Sequence, residues 1–191
     1  MRGLRTYPWL VIYVALLRGI NVGGARKVPM VDLKRILEQI GQKDVTTYIN
    51  SGNVIFDSEE RDEIALADRV EDALEKEFGF RPRVLVRTGA DIRAIAEAIP
   101  EDWTNGPEMR ADVVYLLDGV DAKKASSQLE PRDGIEHVLH APGAFIWMVH
   151  RRDATRSRLV NMAGTPLYKQ ATVRNINTAR KLATMVADRL G

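Results

Sequence analysis

A chain of 191 residues, 45% hydrophobic and 28% charged, has an ordinary globular composition and the length for one large or two small domains, each able to bury a core. It contains no cysteine, which excludes disulfides, thiolate catalysis, iron–sulfur clusters and cysteine-held zinc. A net charge of +2, from 28 Lys+Arg against 26 Asp+Glu with the signs interspersed, lacks the clustered basic excess of a dedicated duplex-binding surface.

Arg2 and Arg5 stand ahead of the apolar run Trp9–Leu17, an outline shared with secretory signals. No small-x-small cleavage site follows, and the run meets Arg18-Gly19-Ile20-Asn21 instead. It is too short to cross a membrane as a helix. Its β-branched and aromatic residues read as a strand over Leu10–Leu17, apolar on both faces as in the middle of a sheet. The expectation is a soluble cytoplasmic protein that does not engage a membrane. Three glycines follow, Gly19, Gly23 and Gly24, and then Pro29, which suits the first turn of a helix. Leu33, Ile36, Leu37 and Ile40 recur at helical spacing before Gly41.

Val45, Thr47 and Ile49 alternate with Thr46, Tyr48 and Asn50, the chain turns over Asn50–Asn53, and Val54 and Phe56 resume the alternation: a hairpin. A second helix is expected over Asp62–Phe78, with Ile64, Ala67, Val70, Leu74 and Phe78 inward and Gly79 as its stop. A strand over Arg83–Thr88 closes the first half. Strand–helix–strand–strand–helix–strand is the ferredoxin-like split βαβ order. A connector helix, Ala90–Ile99, leads to Pro100 and a turn-rich boundary.

The second half repeats the pattern less cleanly. Ala111–Leu117 reads as a strand, Ala122–Leu129 as a helix, and Ile135–Ala141 with Ala144–His150 as a hairpin about Pro142-Gly143. From Thr155 the chain reads as helical. Ala171–Asn175 is extended, and Thr178–Leu190 is the last helix, with Ala179, Leu182, Val186 and Leu190 inward and Asn177 as its cap. The expected fold is α+β, two tandem ferredoxin-like plaits with extra helices: residues 1–88 the first plait, 89–109 a connector helix and linker, and 110–191 a second plait-like domain with C-terminal helices.

Neither named phosphate-binding motif is present. Gly19 and Gly24 have the spacing of a P-loop, but Ala25-Arg26 stand where Lys-Ser/Thr belongs, and the dinucleotide fingerprint also fails. What survives is glycine-freed backbone beside a helix start, with Arg18, Arg26 and Lys27 supplying positive charge; against it stands a solvated turn. Arg174, Asn175, Asn177 and Thr178 stand at the mouth of the last helix, where capping is the plainer reading. For an RNA-binding plait, Tyr13 and Tyr48 are available, but Asn53 and Ile55 occupy positions where stacking aromatics belong. His137, His140 and His150 lack a further ligand for zinc, so no metal is expected. Ser51 reads as a turn residue, and Glu59-Glu60, Glu71-Asp72 and Asp32 as solvated charges. Trp9, Trp103, Trp147 and Phe145 read as core or interdomain packing.

The segments "YVALLRGINVGG", "KVPM", "YINSGNVIF" and "TVRNINT" resemble the signature segments of an uncharacterised bacterial family, domain of unknown function 1697, over nearly the whole chain. The resemblance implies a tandem plait-like fold and a bacterial origin. It supplies no reaction and no cofactor. It places Arg18, Gly19, Asn21, Gly23, Asn50, Ser51, Gly52, Asn53, Arg174 and Asn175 in the family's characteristic segments.

The leading reading is a small anionic ligand, phosphate-bearing or nucleotide-like. Arg18, Gly19, Asn21, Gly23, Asn50, Ser51, Asn53, Arg174 and Asn175 are its candidate contacts: arginine pairs with the anion, backbone N–H groups complete the cradle and asparagines orient it. The alternatives are a hydrolase or transferase using the same arginines, with Ser51, Asp57 or a histidine as nucleophile or base, and an interaction module for protein or RNA without a pocket. Nucleic acid has the weaker claim as partner. The residues name neither a cofactor nor an oligomeric state.

Overall fold

The apolar run near the start becomes β1 (Val11–Arg18), and its place in the fold explains its sequence. It pairs antiparallel with β3 (Asn53–Ser58) on one edge and β4 (Arg83–Thr88) on the other, and successive residues on both of its faces are buried. The computed structural model describes residues 9–24 and 26–190; Arg2, Arg5 and Ala25 lie outside them. By proximity of its residues the chain divides into two compact units, residues 1–92 with 184–191, and residues 93–183.

In the first unit β2 (Lys43–Tyr48) completes a four-stranded antiparallel sheet in the order β2-β3-β1-β4. One face, carrying Tyr13, Ala15, Leu17, Val54, Phe56, Val84 and Val86, packs against Leu33, Ile36 and Leu37 of α1 (Met30–Gln39) and Leu66, Val70 and Leu74 of α2 (Glu63–Phe78). Gly79 at φ +72 ends α2, as expected, while Asp62, expected as its first residue, caps it instead, accepting the N–H groups of Ile64 and Ala65. Two details of α2 differ from expectation. Ile64 is 59% exposed and Leu66 faces inward, because the buried stripe runs through 66, 70 and 74. Ile64 lies two residues earlier, about 200° around the helix at 3.6 residues per turn. Glu71 is not a solvated charge but is 1% exposed: it sits beside Val70 and accepts the backbone N–H of Val84 at 2.8 Å and the Nε of Arg81 at 2.9 Å.

The hairpin turn begins one residue early. β2 stops at Tyr48, and Ile49 takes φ +48, a left-handed conformation that is rare for a β-branched residue. At its other end β2 carries a bulge between Lys43 and Thr46, with Asp44 at φ +48. There Arg189 donates to the carbonyl oxygens of Asp44 (2.6 Å) and Ile55 (3.3 Å) and to Thr46 Oγ1 (2.8 Å). It thereby supplies donors where the ladder is interrupted.

After α3 (Gly89–Glu97), the sheet of the second unit is built from β5 (Met109–Leu116), β6 (Glu136–Ala141), β7 (Ala144–His150) and β8 (Ala171–Asn175). Its order is β6-β7-β5-β8, the same second–third–first–fourth sequence as in the first sheet. The β6–β7 turn falls at Pro142-Gly143, where Ala141 pairs with Ala144. Val114, Leu116, Phe145 and Trp147 pack with Ala125, Leu129, Leu159, Met162 and Leu167. The helix α4 (Ala122–Ser127) is shorter than expected.

The segment expected to be helical from Thr155 forms 3₁₀ turns at Arg151–Arg156, Leu159–Gly164 and Pro166–Gln170. Gly164 and Pro166 interrupt it, and it carries no lasting 3.6-residue stripe. Glu136 anchors this stretch: its carboxylate accepts from Trp147 Nε1 (2.9 Å), Ser157 Oγ (2.6 Å) and the N–H groups of Arg158 (2.7 Å) and Arg132 (2.9 Å).

The last helix, α5 (Ile176–Leu190), starts two residues earlier than expected. Its cap is Asn175, whose Oδ1 accepts the N–H of Thr178 at 2.9 Å; Asn177 instead donates to the carbonyl of Asn105. Leu190 is exposed rather than inward, and Trp9, expected to pack, is 51% exposed. The two closing strands end alike. Arg87 and Arg174 each donate from Nη1 to the carbonyl of the preceding valine at 2.9 Å. The next residue of each, Thr88 or Asn175, accepts the N–H three positions on and so opens a helix.

Candidate functional site

Beyond β1 the backbone stays left-handed at several positions: Gly19 (φ +72), Asn21 (+55), Gly23 (+59), Gly24 (+77) and Arg26 (+49). Glycine tolerates this for want of a Cβ, and asparagine because its short amide can bond locally. Asn21 uses that amide fully. Its Nδ2 donates to the carbonyl oxygens of Val28 (2.9 Å) and Asn50 (2.8 Å), and its Oδ1 accepts the N–H of Val28 (2.8 Å). One side chain closes the glycine loop and fastens it to the hairpin turn. The Leu17 N–H donates to the Gly52 carbonyl at 2.8 Å, a second tie between the same segments. A Cβ at Gly52, itself at φ +78, would stand 2.7 Å from Ile20 Cδ1 and 2.8 Å from Leu17 Cβ.

Beside the junction lies a hollow of about 360 Å³ lined by Asn21, Gly24, Lys27, Val28, Pro29 and Asn50. Lys27 is its exposed cation. Arg26 is turned to Phe80, its guanidinium carbon 5.9 Å from the ring centroid. Pro29 precedes α1 without a side-chain capping bond, and the first intrahelical bond runs from Leu33 N–H to the Pro29 carbonyl. The N–H groups of Met30, Val31 and Asp32 therefore have no intrahelical acceptor. A cation, glycine-freed backbone and the positive end of a helix together can receive an oxyanion.

Asn21 and Asn50 of the candidate contacts line this hollow. Arg18 is half-buried at the end of β1, in register with Arg83. Gly19 and Gly23 are exposed loop positions. Asn53 is fully buried at the start of β3, donating to the carbonyl of Tyr48 (2.9 Å) and to Ser51 Oγ (3.0 Å), so this pair shapes the hairpin turn. In the second unit Arg174 is 8% exposed and donates to Thr172 Oγ1 (3.2 Å) as well as to Val173. Burial pushes its guanidinium down to about 10, with Tyr115 acting in the opposite direction. Asn175 caps α5.

The groups considered as nucleophile or base have defined surroundings. Asp57 is buried and lies 3.4 Å from Arg189 Nη1. His140 Nε2 lies 2.8 Å from Ser126 Oγ, and the His137 ring lies against Trp103 with centroids 6.5 Å apart. Among the described residues no group of three or more His, Asp or Glu is arranged to hold a metal ion, and no helix is long and apolar enough to cross a membrane.

The sequence reading did not include Gly24, Lys27, Val28 or Pro29 among the contacts. The available signal was the direct approach of a cation and a proline to a helix start.

A family model described as protein of unknown function (DUF1697) matches residues 11–147. The conserved bacterial protein SP0830 from Streptococcus pneumoniae is similar in structure, with a TM-score of 0.78 and 26% identity over 93% of this chain and 99% of that one. An unknown protein from Galdieria sulphuraria aligns over 95% of this chain and 89% of its own at 13% identity, with a TM-score of 0.22, too slight to bear on the fold. No curated protein matches the chain.

Proposed function

The chain belongs to the family described as protein of unknown function (DUF1697), and since that description assigns no activity, we propose one from the geometry: the first unit binds a small anionic ligand, phosphate-bearing or nucleotide-like, in the hollow between glycine loop and hairpin turn. The observation that carries this reading is the Asn21 side chain, which holds the two segments together at both Val28 and Asn50. A loop held this way loses little freedom when a ligand arrives. In the proposed complex Lys27 and the first-turn N–H groups of α1 receive the anion. Gly24 lets the backbone approach, and Asn50 closes the rim.

Thermal unfolding tests this directly. Inorganic phosphate, nucleoside monophosphates and sugar phosphates at millimolar concentration are the probes. At least one raises the midpoint of the wild-type protein, by about 2.7 kcal/mol of stabilisation at a hundredfold excess over Kd. Lys27→Ala loses that increment. Absence of any shift in the wild type rejects the reading.

Each unit is further read as a split βαβ, ferredoxin-like plait, and the two as tandem copies. The shared strand order and the matching valine–arginine–cap endings of β4 and β8 support that reading. A bacterial, cytoplasmic protein is part of the same proposal. Base stacking on the first sheet is not, because Ile12, Val14, Leu16, Ile55 and Leu85 are all buried there.

A further inference from the structure

At the end of the β2–β3 hairpin away from Asn50 lies a second hollow, of about 490 Å³, lined among others by Gln42, Lys43, Asp57, Glu60, Arg61 and Arg69. Its volume is that of a small-molecule site, and it shares no lining residue with the hollow at the glycine loop.

The charges in it fall into two groups. Lys43 pairs with Glu59 at 3.2 Å, and Asp57 with Arg189 at 3.4 Å, so these four offset one another. Arg61, Arg69 and Glu60 remain. Arg61 Nη2 donates to the carbonyl of Trp9 (2.6 Å) and Arg69 Nη2 to that of Ile40 (2.9 Å). Neither makes an ion pair with a carboxylate among the described residues. Each guanidinium is thus steadied through one nitrogen and keeps donors to offer. Glu60 Oε1 accepts the N–H groups of Arg61 (2.8 Å) and Asp62 (3.0 Å), which fixes the carboxylate in place. Bonds from the Asp62 and Arg61 N–H groups, aided by the charge of Arg69, hold it below the usual range and so ionised.

Two cations and one anion call for the opposite set: two carboxylates and an ammonium group. We propose that this hollow binds a free acidic amino acid, aspartate or glutamate, with its carboxylates received by Arg61 and Arg69 and its ammonium by Glu60. A bare phosphate would leave the Glu60 carboxylate facing a second anion. A simple amine would meet two guanidinium groups. An acidic amino acid satisfies both signs.

Isothermal titration of the full-length protein provides the test. L-Aspartate and L-glutamate are the probes; L-glutamine (one carboxylate fewer) and glutarate (no ammonium) are the comparators. The expected result is saturable binding of aspartate or glutamate, with glutamine and glutarate at least about tenfold weaker, the loss of one charge-assisted contact. Arg61→Ala and Arg69→Ala, both at exposed positions, should each weaken binding by about the same factor. Lys27→Ala should leave it unchanged, which separates this site from the phosphate reading. Three results overturn the proposal: no heat with either acidic amino acid at millimolar concentration, equal affinity for glutamine or glutarate, or wild-type affinity in the Arg61→Ala/Arg69→Ala double variant.

Discussion

Asn21 and Asn50 stand 29 positions apart and are joined by one hydrogen bond, from Nδ2 of the first to the backbone carbonyl of the second at 2.8 Å. Asn21 also occupies a left-handed backbone conformation at φ +55, so it has two roles that substitution can separate. Asn21→Gly keeps the backbone freedom and loses the bonds; Asn21→Ala loses both. Both variants should speed amide exchange of Val28, whose N–H the side chain accepts, and should weaken anion binding. Alanine should cost about 1 kcal/mol more in stability than glycine, the backbone contribution. Equal exchange in wild type and both variants would show that the loop does not depend on this side chain.

Two glycines allow steric crowding to be told from backbone strain. Gly52 (φ +78) and Gly41 (φ +92) both lie in the left-handed region, but a Cβ at Gly52 would overlap Ile20 and Leu17, whereas one at Gly41 meets open space. Gly41→Ala should lower stability by about 1–2 kcal/mol, the strain alone. Gly52→Ala should lower it by about 1–3 kcal/mol beyond that, the overpacking increment. Urea unfolding of the pair reads the difference.

Glu136 links stability to pH. Its burial raises the carboxyl pKa, but the bonds from Ser157, Arg132, Arg158 and Trp147 outweigh that and hold it below the ordinary value. A depressed carboxyl stabilises the fold in full above its unfolded pKa, about 4.3. The contribution is lost as pH falls through the lower folded value. Glu136→Gln should therefore cost about 1–3 kcal/mol at neutral pH. The gap to wild type should narrow on acidification, as measured by thermal unfolding across pH 7 to 3.

Tyr115 presents the reverse case. It is fully buried, burial raises its pKa, and its hydroxyl has no hydrogen-bond partner among the described residues. Removing an unsatisfied buried group is expected to be neutral or stabilising, so Tyr115→Phe should hold or raise the unfolding midpoint, by up to about 1 kcal/mol. A fall of that size would mean the hydroxyl is bonded after all.

The sequence was most legible where a single rule governs. β1 could be read from an apolar run that only a central strand needs on both faces, and α2 from its helical apolar spacing and the glycine that stops it at Gly79. It was least legible where long-range partners decide. Glu71 looks like any helix-surface glutamate until Arg81 and the Val84 N–H are folded against it. Asn175 and Asn177 are both good capping residues, and only the end of β8 selects the first. For Asn21, local sequence suggests a turn, but the bond to Asn50 is a tertiary fact. The paired endings Val86-Arg87-Thr88 and Val173-Arg174-Asn175 were readable in principle, yet three residues do not stand out between halves otherwise unlike.

The membership of residues 184–191 in the first unit carries a consequence for biosynthesis. Arg189 reaches Asp57 and the β2 bulge, and Val186 lies against the site of a Gly89 Cβ, so both belong to a body whose strands left the ribosome long before. The earlier-made half must wait without the Arg189 contacts at its bulge until residue 189 has left the ribosome, while residues 93–183 hold their own complement sooner. An N-terminal fragment ending at residue 92 inherits that incompleteness for good, which makes it a poor subject for dissection and a good client for a chaperone.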